Sequence, residues 1–314
     1  MYQMQEADGF TQWRRLISTS FVPLGAEPLR GRSASGAFRG RVGGRRLNDV
    51  GMMQVSASGH TVRRTPELIA AGGEGNYKLS LQLDGRGMLL QDGRETVMRP
   101  GDLAIYDTQR PYTLSFDGDF RTLVLMFPQH LLGLSPEDVA ELTAVSMGRG
   151  QALGEAVSPF LAQIGEMLPT LQGPIGYRLA MNVVDLLSTL LANEVYAKPD
   201  QAADGHARLL RRVQHHIEAH LADPRLGPQE IAAAHFISTR TLHQLFADAG
   251  HTVGAWVRER RLERCRRDLL DPLHAHVPVG AIGARWGLVD AAHSSRAFRA
   301  AFGASPSQYR RTPR

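Results

Sequence analysis

The spacing of apolar residues divides the chain into regions of different secondary structure. Between about residues 50 and 127, short runs of alternating polarity are separated by turn dipeptides such as Asp84-Gly85 and Asp92-Gly93, a pattern typical of antiparallel strands. It predicts strands at 51–58, 77–84, 87–91, 94–99, 103–107, 112–116 and 121–127. Short strands at this regular spacing favour a β-sandwich or a small barrel.

Helical spacing replaces the alternation after Pro128 and predicts helices at 136–147, 151–168 and 176–196. The last helix carries an apolar stripe formed by Leu179, Val183, Leu186, Leu187, Leu190 and Leu191. Such a stripe fits either an internal core contact or the seam of a homodimer. Near the N-terminus, a helix is predicted at 12–20, followed by irregular or edge-strand structure in the Gly- and Arg-rich segment 29–46. Within that segment, residues 39–46 are expected to form a solvated loop rather than a nucleic-acid-binding arm.

Two short amphipathic helices in the C-terminal third are predicted at 229–236 and 238–246, with a turn between them that allows only a sharp corner. This is the outline of a helix-turn-helix. Ser238 is a suitable N-cap for the second helix. The apolar residues expected to face the core are Leu242, Leu245 and Phe246. The outer face carries the side chains that can reach bases and phosphates, namely Thr239, Arg240, His243 and Gln244.

The same pattern occurs a second time nearer the end of the chain. A long helix at 252–271 leads to a supporting helix at 279–287 and then to a recognition helix at 290–302, with Asp290 as its cap. The second set of candidate DNA-binding residues is His293, Ser295 and Arg296. Two copies joined by a helix about 30 Å long could contact successive major-groove faces of one duplex.

Charge is unevenly distributed between the two parts of the chain. Residues 206–314 contain 17 arginines and no lysine against nine acidic residues, a net charge of +8, whereas residues 1–205 carry −3. This asymmetry indicates a module that binds nucleic acid or another polyanion, attached to a near-neutral domain. His216 and His220 stand four residues apart, a spacing that can hold a metal, but no further ligand is evident and a solvated helix face is favoured.

The single cysteine, Cys265, excludes an internal disulfide and a multi-cysteine zinc site, and it suits a reducing compartment. The N-terminus lacks the apolar core of a signal peptide, and no apolar run is long enough to predict a membrane span. We therefore expect a cytoplasmic protein without a membrane partner.

The hairpin around Gly85-Arg86-Gly87 and the Pro100-Gly101-Asp102 turn resemble the cupin-type barrel. Enzymes of that fold bind a metal through clustered histidines and a carboxylate, and the strand region contains only His60. We therefore predict no catalytic residue, metal or cofactor, but a cavity that holds a small molecule. The candidate effector-binding residues are Arg64, Tyr77, Arg86 and Tyr112.

The C-terminal hundred residues resemble the AraC/XylS family of bacterial transcription regulators. The resemblance rests on Trp286-Gly287-Leu288 and on segments 295–299 and 302–310, together with the first motif and Arg261-Leu262. The N-terminal half is similar to the effector-binding half of a subgroup, through Arg64-Thr65-Pro66, Gly101-Asp102 and Arg110-Pro111-Tyr112. The resemblance implies a sequence-specific DNA-binding regulator, commonly an activator that responds to a small catabolic substrate and contacts RNA polymerase.

By the same resemblance, base reading falls to Arg240, His243 and Gln244 in the first recognition helix, and to His293 and Arg296 in the second. The second helix departs from the family pattern, because Ser294 stands where a large apolar residue is usual and two alanines, Ala291 and Ala292, replace polar residues. The first motif is therefore expected to dominate sequence choice.

These observations predict an α+β protein. Residues 1–196 are expected to form an effector-binding and dimerisation domain, with a cupin-like β-barrel at about 50–127 and helices at about 136–196. Residues 197–207 are expected to form a linker. Residues 208–314 are expected to form an all-α DNA-binding domain with two helix-turn-helix motifs. The predicted function is a transcription regulator, an activator responsive to an aromatic or carboxylate effector of a catabolic pathway. Its expected partners are promoter DNA, RNA polymerase, the effector and a second copy of the chain. The alternatives are a cupin-type metal-dependent enzyme with an accessory nucleic-acid-binding domain, and a ligand-independent architectural DNA binder.

Overall fold

The computed structural model of the protein describes residues 2–29, 38–73, 75–197 and 205–311. The chain divides into two compact units, residues 1–198 and 199–314. Residues 198–204 of the expected linker lie outside the described residues, and a helix begins at Gly205, within the range expected for the linker.

The first unit contains eleven strands among its described residues. They are β1 (Gln3–Ala7), β2 (Gly25–Pro28), β3 (Gly40–Leu47), β4 (Val50–Ala57), β5 (His60–Arg64), β6 (Asn76–Asp84), β7 (Gly87–Gln91), β8 (Arg94–Met98), β9 (Leu103–Asp107), β10 (Tyr112–Phe116) and β11 (Phe120–Pro128). One sheet has the order β1-β3-β4-β11-β6-β9 and the other β2-β5-β10-β7-β8. Their pairings are antiparallel, and apolar side chains from both sheets form one core.

The seven strands expected from the alternating pattern are present as β4 and β6 to β11, with ends within one residue of the predicted bounds. Four strands lie outside these seven predicted ranges, namely β1, β2, β3 and β5, so the sheets begin at Gln3 rather than near residue 50. The expected solvated loop at 39–46 is wrong, because β3 pairs with β1 on one side and β4 on the other. A Cβ on Gly44 would come within 2.5 Å of the Met52 carbonyl oxygen, so this glycine permits close strand packing rather than flexibility.

The described helices of the first unit are α1 (Phe10–Ser20), α2 (Pro66–Ala70), α3 (Pro136–Ala140), α4 (Ala152–Met167) and α5 (Gly173–Ala197), with a 3-10 turn at Gln129–Leu131. The helix expected at 136–147 is therefore too long. It ends early because Thr143 and Met147 form bridges to Ile105 and Leu103 of β9, extending the edge of the sheet.

Helix α5 carries the apolar stripe. Most of its stripe residues are buried inside the first unit, as in an internal core contact; the second reading, a dimer seam, remains a prediction. The segment Gly173–Val195 is long and apolar enough to cross a membrane, with a mean hydropathy of 1.3, and half of its most apolar stretch is buried inside the structure.

The second unit is entirely helical over residues 205–311. Its helices are α6 (Gly205–His220), α7 (Pro228–Ala234), α8 (Thr239–Asp248), α9 (Val253–Leu270), α10 (Val279–Arg285), α11 (Ala291–Phe302) and α12 (Pro306–Arg311), with a 3-10 turn at Pro272–His274. One core lies among α6, α7, α8 and the start of α9, and another lies among the rest of α9, α10, α11 and α12. Trp286 packs against both cores.

Candidate nucleic-acid interface

Helix α8 packs one apolar face against the core and has a side-chain cap at its N-terminus. The Ser238 hydroxyl accepts a hydrogen bond from the Thr241 backbone N–H at 3.0 Å, which satisfies one of the free donors of the first turn. The buried face consists of Leu242, Leu245 and Phe246. Cap and core contacts together fix which side of the helix points outward.

The outward side carries the four residues expected to bind DNA, and all four are exposed: Thr239, Arg240, His243 and Gln244. The Gln244 side-chain amide donates to Asp248 Oδ1 at 2.7 Å, which orients it along the helix. The Arg240 guanidinium makes no ion pair within the described part of the chain. This surface is therefore available to phosphate oxygens and base edges.

Helix α11 repeats the same plan with weaker support. Asp290 caps it by accepting from the His293 backbone N–H at 2.9 Å, and Phe298 is buried beneath it. His293 and Arg296 are exposed, whereas Ser295 is half-buried and lines an internal cavity. The structure thus places two of the three predicted residues of this helix on its free face.

The cavity lies beneath α11 and has a volume of about 90 Å³. Superimposing the two caps by sequence places Ser294 at the position of Leu242, a residue that is fully buried in the first motif. Ser294 lines the cavity together with Ala291 and Gly280, so small side chains leave space where the first motif has a leucine.

Helix α9 joins the two motifs and has 18 residues, which corresponds to a length of about 27 Å at 1.5 Å per residue. Its buried Arg261 donates hydrogen bonds to the carbonyl oxygens of Leu221 at 3.0 Å, Asp223 at 2.6 Å and Gly287 at 3.3 Å. The first two carbonyls follow α6 and the third belongs to the turn of the second motif. One side chain therefore ties the two motifs together.

The turns of the two motifs differ at one residue with a left-handed backbone. Gly287 has φ 72°, and a Cβ there would come within 2.7 Å of the Arg261 guanidinium carbon, so no side chain fits. The corresponding residue of the first turn is Phe236, which has φ 56° and a side chain that is 97% exposed.

Several arginines of the basic C-terminal unit have structural partners. Arg260 and Arg264 pair with Glu218 of α6, and Arg266 pairs with Glu263 on its own helix. These pairs reduce the positive charge that α9 presents to solvent. The candidate DNA-binding face consequently depends more on α8 and α11 than the arginine count suggests.

The first unit holds a cavity of about 50 Å³ between its sheets. Tyr112 lines it, as expected for an effector-binding residue. Side chains alternate along β6, so Lys78 and Ser80 face the cavity while Tyr77 faces the other side of the sheet. Arg86 is exposed at the turn after β6.

Arg64 is buried and serves the fold. Its guanidinium donates to four backbone carbonyls, those of Thr108, Pro23, Leu68 and Gly72, at distances from 2.7 to 3.2 Å. Of the four expected effector-binding residues, the structure brings Tyr112 to the wall of this cavity, and it brings Arg64 and Tyr112 together at a wider, more open depression of about 470 Å³. Lys78 and Trp13 also line this cavity and were not among the predicted residues; the lysine inside an otherwise apolar strand was the available signal.

His60 also lines the cavity but has its hydrogen bonds satisfied. Its Nε2 accepts from the Trp13 indole N–H at 2.9 Å, and its Nδ1 lies 2.8 Å from the Ser58 carbonyl oxygen. Burial lowers the pKa of His60 to about 4, so the ring is neutral at physiological pH. Among the described residues, no group of three His, Cys, Asp or Glu side chains is placed to hold a metal ion.

Comparison with known proteins accords with both halves of the structure. Residues 13–192 match the family described as an AraC-binding-like domain, and residues 209–312 match a helix-turn-helix domain. The chain belongs to the AraC family of transcription regulators. This AraC-family protein is 34% identical to the transcriptional activator NphR of Rhodococcus sp over 98% of its own length and 91% of that protein.

Two further proteins are similar to this chain over most of its length. An uncharacterized protein in the nit 5' region of Bacillus sp. (strain OxB-1) is 31% identical over 74% of this chain and 89% of that protein. The crystal structure of the AraC-like transcriptional activator CuxR superposes with a TM-score of 0.54 at 21% identity, covering 92% of this chain and all of that chain, which shows a shared fold. The predicted AraC/XylS resemblance and α+β fold class are confirmed, and the relatives are transcription regulators rather than enzymes.

Proposed function

We propose that this AraC-family regulator activates transcription of a catabolic operon when a small molecule occupies the cavity of its first unit. The observation that carries the proposal is the combination, in one chain, of a cavity between two sheets and two capped helices with exposed polar faces. The activator role is supported by NphR, which is named a transcriptional activator and aligns over nearly the whole chain.

DNA reading is assigned to α8 and α11. In this proposal Arg240 and Gln244 contact base edges, since arginine suits guanine and glutamine suits adenine in the major groove. The remaining contacts are assigned to Thr239, His243, His293, Ser295 and Arg296. The half-buried position of Ser295 suits a phosphate contact from the edge of the helix better than a deep base contact.

The effector is assigned to the cavity lined by Tyr112 rather than to Arg64, Tyr77 or Arg86. Effector binding would shift an existing equilibrium toward the state that activates transcription. Contact with RNA polymerase, assembly as a homodimer and location in the bacterial cytoplasm complete the proposal. They are supported by membership of a family of bacterial transcription regulators.

The test is a binding titration of the full chain on the promoter adjacent to its gene, compared with unrelated DNA of equal length at the same salt. We expect the promoter to bind at least about 10³-fold more tightly. Equal affinity for both DNAs would contradict sequence-specific regulation. A transcription assay on that promoter, with and without candidate effectors, then separates activation from repression.

A further inference from the structure

The residues that line the cavity of the first unit form two chemically distinct groups. Trp13, Phe116 and Phe120 contact the ring of His60, and the two phenylalanines stack on each other with ring centroids 3.5 Å apart. The other group is polar and hydrogen-bonded, consisting of Lys78, Ser80, Tyr106 and Tyr112.

Lys78 is the unusual member of the polar group. Its side chain is only 2% exposed, and its Nζ donates to the Tyr112 hydroxyl at 3.2 Å and lies 4.4 Å from the centroid of the Phe21 ring. No carboxylate pairs with it in the part of the chain that the structure describes. A buried ammonium without an anionic partner is costly, and such groups are usually paired.

The neighbouring polar groups have their hydrogen bonds directed elsewhere. Ser80 and Tyr106 bond to each other at 3.0 Å, and the Thr122 hydroxyl donates to the Leu81 carbonyl at 2.9 Å. An ammonium has three donors, and the structure shows one used by Lys78. Lys78 Nζ and the Tyr112 hydroxyl therefore offer two adjacent donors to the cavity, a pair that matches the two oxygens of a carboxylate.

We propose that the effector is a small one-ring aromatic acid whose carboxylate binds Lys78 Nζ and the Tyr112 hydroxyl, with its ring against Phe116 and Phe120. This inference rests on the proposed function, in which the cavity is the effector site. The ligand supplies an anionic partner for the ammonium form of Lys78, so binding is coupled to the protonation state of this side chain.

The size of the cavity limits the ligand. Its volume of about 50 Å³ is below the roughly 150 Å³ of an apolar cavity that accepts benzene, so even one ring enters only if lining side chains move apart. Phe21, which is half-buried and packs over Lys78, is the side chain best placed to move. A fused pair of rings would require a larger movement, so we expect one-ring ligands to be preferred.

Acid binding should also take up a proton. Burial and the nearby Arg64 lower the pKa of Lys78 to about 7, so at pH 8 most of the ligand-free protein carries a neutral amine at this position. An anion at the site favours the ammonium form. The other titratable groups facing it keep their state at pH 8, because burial raises the pKa of Tyr106 and Tyr112 and lowers that of His60.

The test uses the full chain with benzoate and phenylacetate, each compared with its neutral primary amide, by titration calorimetry and thermal denaturation. We expect each acid to bind at least about tenfold more tightly than its amide, because a hydrogen bond to a charged group contributes more than a neutral one. In two buffers of different ionisation enthalpy at pH 8, acid binding should take up about one proton and amide binding none.

The variant Lys78→Met separates recognition from a merely structural role. We expect it to bind acid and amide within about twofold of each other and to raise the melting temperature of the ligand-free protein, because it removes a buried polar group whose hydrogen bonds are only partly made. Tyr112→Phe keeps the charge and should lose only part of the acid preference. Arg86→Met, which removes an exposed arginine at the turn after β6, is the matched control and should keep the full preference.

The possible failures are distinguishable. Equal binding of acids and amides by the wild type, or an undiminished acid preference in Lys78→Met, would overturn the acid inference and leave the effector cavity in place. If the two acids, their amides and toluene all fail to bind, one-ring ligands do not occupy the cavity and the inference is overturned. If an acid binds through Lys78 but promoter activity does not respond to it, the proposed function is overturned while the binding site stands.

Discussion

The two helix-turn-helix motifs share a backbone plan but differ in how firmly their recognition helices are held. Both are capped at the N-terminus and both place a phenylalanine in the core. Beneath α8 the core is filled by Leu242, whereas the equivalent Ser294 leaves a cavity of about 90 Å³ beneath α11.

This difference affects how well each helix can discriminate among bases. Direct readout requires side chains held in a fixed position against the groove, and a helix packed over a void is held by fewer contacts. The outward face of α11 is also poorer in polar side chains, since Ala291 and Ala292 occupy positions equivalent to Thr239 and Arg240. We therefore expect the first motif to dominate sequence choice and the second to add affinity.

The largest expected effect concerns the link between the motifs. Arg261→Met removes hydrogen bonds to three carbonyls and should lower the free energy of unfolding of the second unit by about 2–4 kcal/mol, because buried acceptors lose their partner. Denaturant unfolding of the full chain measures this loss. Arg258→Ala removes an exposed arginine of the same helix and should change stability by less than about 0.5 kcal/mol. A loss equal to that of the control would show that Arg261 does not join the motifs.

The second effect compares the reading faces directly. Arg240→Ala should weaken promoter binding by about 1–3 kcal/mol and relax base preference, whereas Arg296→Ala should cost less and act mainly through the salt dependence. Titrations on promoter and unrelated DNA at several salt concentrations distinguish these outcomes. If Arg240→Ala leaves promoter affinity unchanged while Arg296→Ala abolishes it, the ranking of the two motifs is reversed.

A smaller effect is expected from filling the cavity. Ser294→Leu restores the side chain found at the equivalent position of the first motif and should raise the free energy of unfolding by about 0.5–2 kcal/mol. The exposed Ser307→Leu adds the same group to the surface and serves as the control. If Ser294→Leu lowers the free energy of unfolding while Ser307→Leu leaves it unchanged, the space beneath α11 does not accept a leucine side chain and the prediction is wrong.

The smallest effect is a pH dependence of the second unit that arises from histidines of α6 and from the residue that follows α7. The His216 ring packs against the rings of His220 and His235. Burial lowers the pKa of both His216 and His235. The neighbouring His220 lowers the pKa of His216 further, and Arg212 does the same for His235. The unfolded chain takes up these protons at higher pH than the folded chain, so stability falls as pH is lowered from about 6.5 through the folded-state values. Thermal denaturation at pH 7.5 and 5.5 should show a smaller decrease for His235→Leu than for the wild type, and an equal decrease would contradict this origin.

Local signals predicted much of this architecture. The helices of the second unit follow from apolar spacing and from caps such as Ser238 and Asp290, and the hairpin strands follow from alternation and turn dipeptides. β3 was expected to be a loop because it contains several glycines. Those glycines allow close contacts with residues distant in sequence, such as Trp13 beside Gly40, and a local sequence pattern does not show such contacts. Helix α3 was overestimated because the chain after Ala140 pairs with β9 instead of continuing the helix.

The two sites differ in the same way. The reading faces of α8 and α11 could be predicted because a cap and an apolar stripe define the outward side of a helix. The cavity residues could not, since the interior face of a strand depends on how the sheets pair. Tyr77 and Lys78 are adjacent in sequence and face opposite sides of β6, and a charged Arg64 suited to a ligand instead bonds backbone carbonyls. Whether the predicted side chains contact DNA remains a prediction.

Trp13, whose indole N–H donates a hydrogen bond to His60, can serve as an intrinsic fluorescent probe of the cavity. The chain has three tryptophans, and Trp13 is the one within the first unit, where its indole lines the cavity; the others, Trp256 and Trp286, lie in the helical unit. Replacing those two with phenylalanine would leave a single tryptophan, on the wall of the cavity proposed to hold the effector. Changes in its emission would then follow ligand entry in real time without a label.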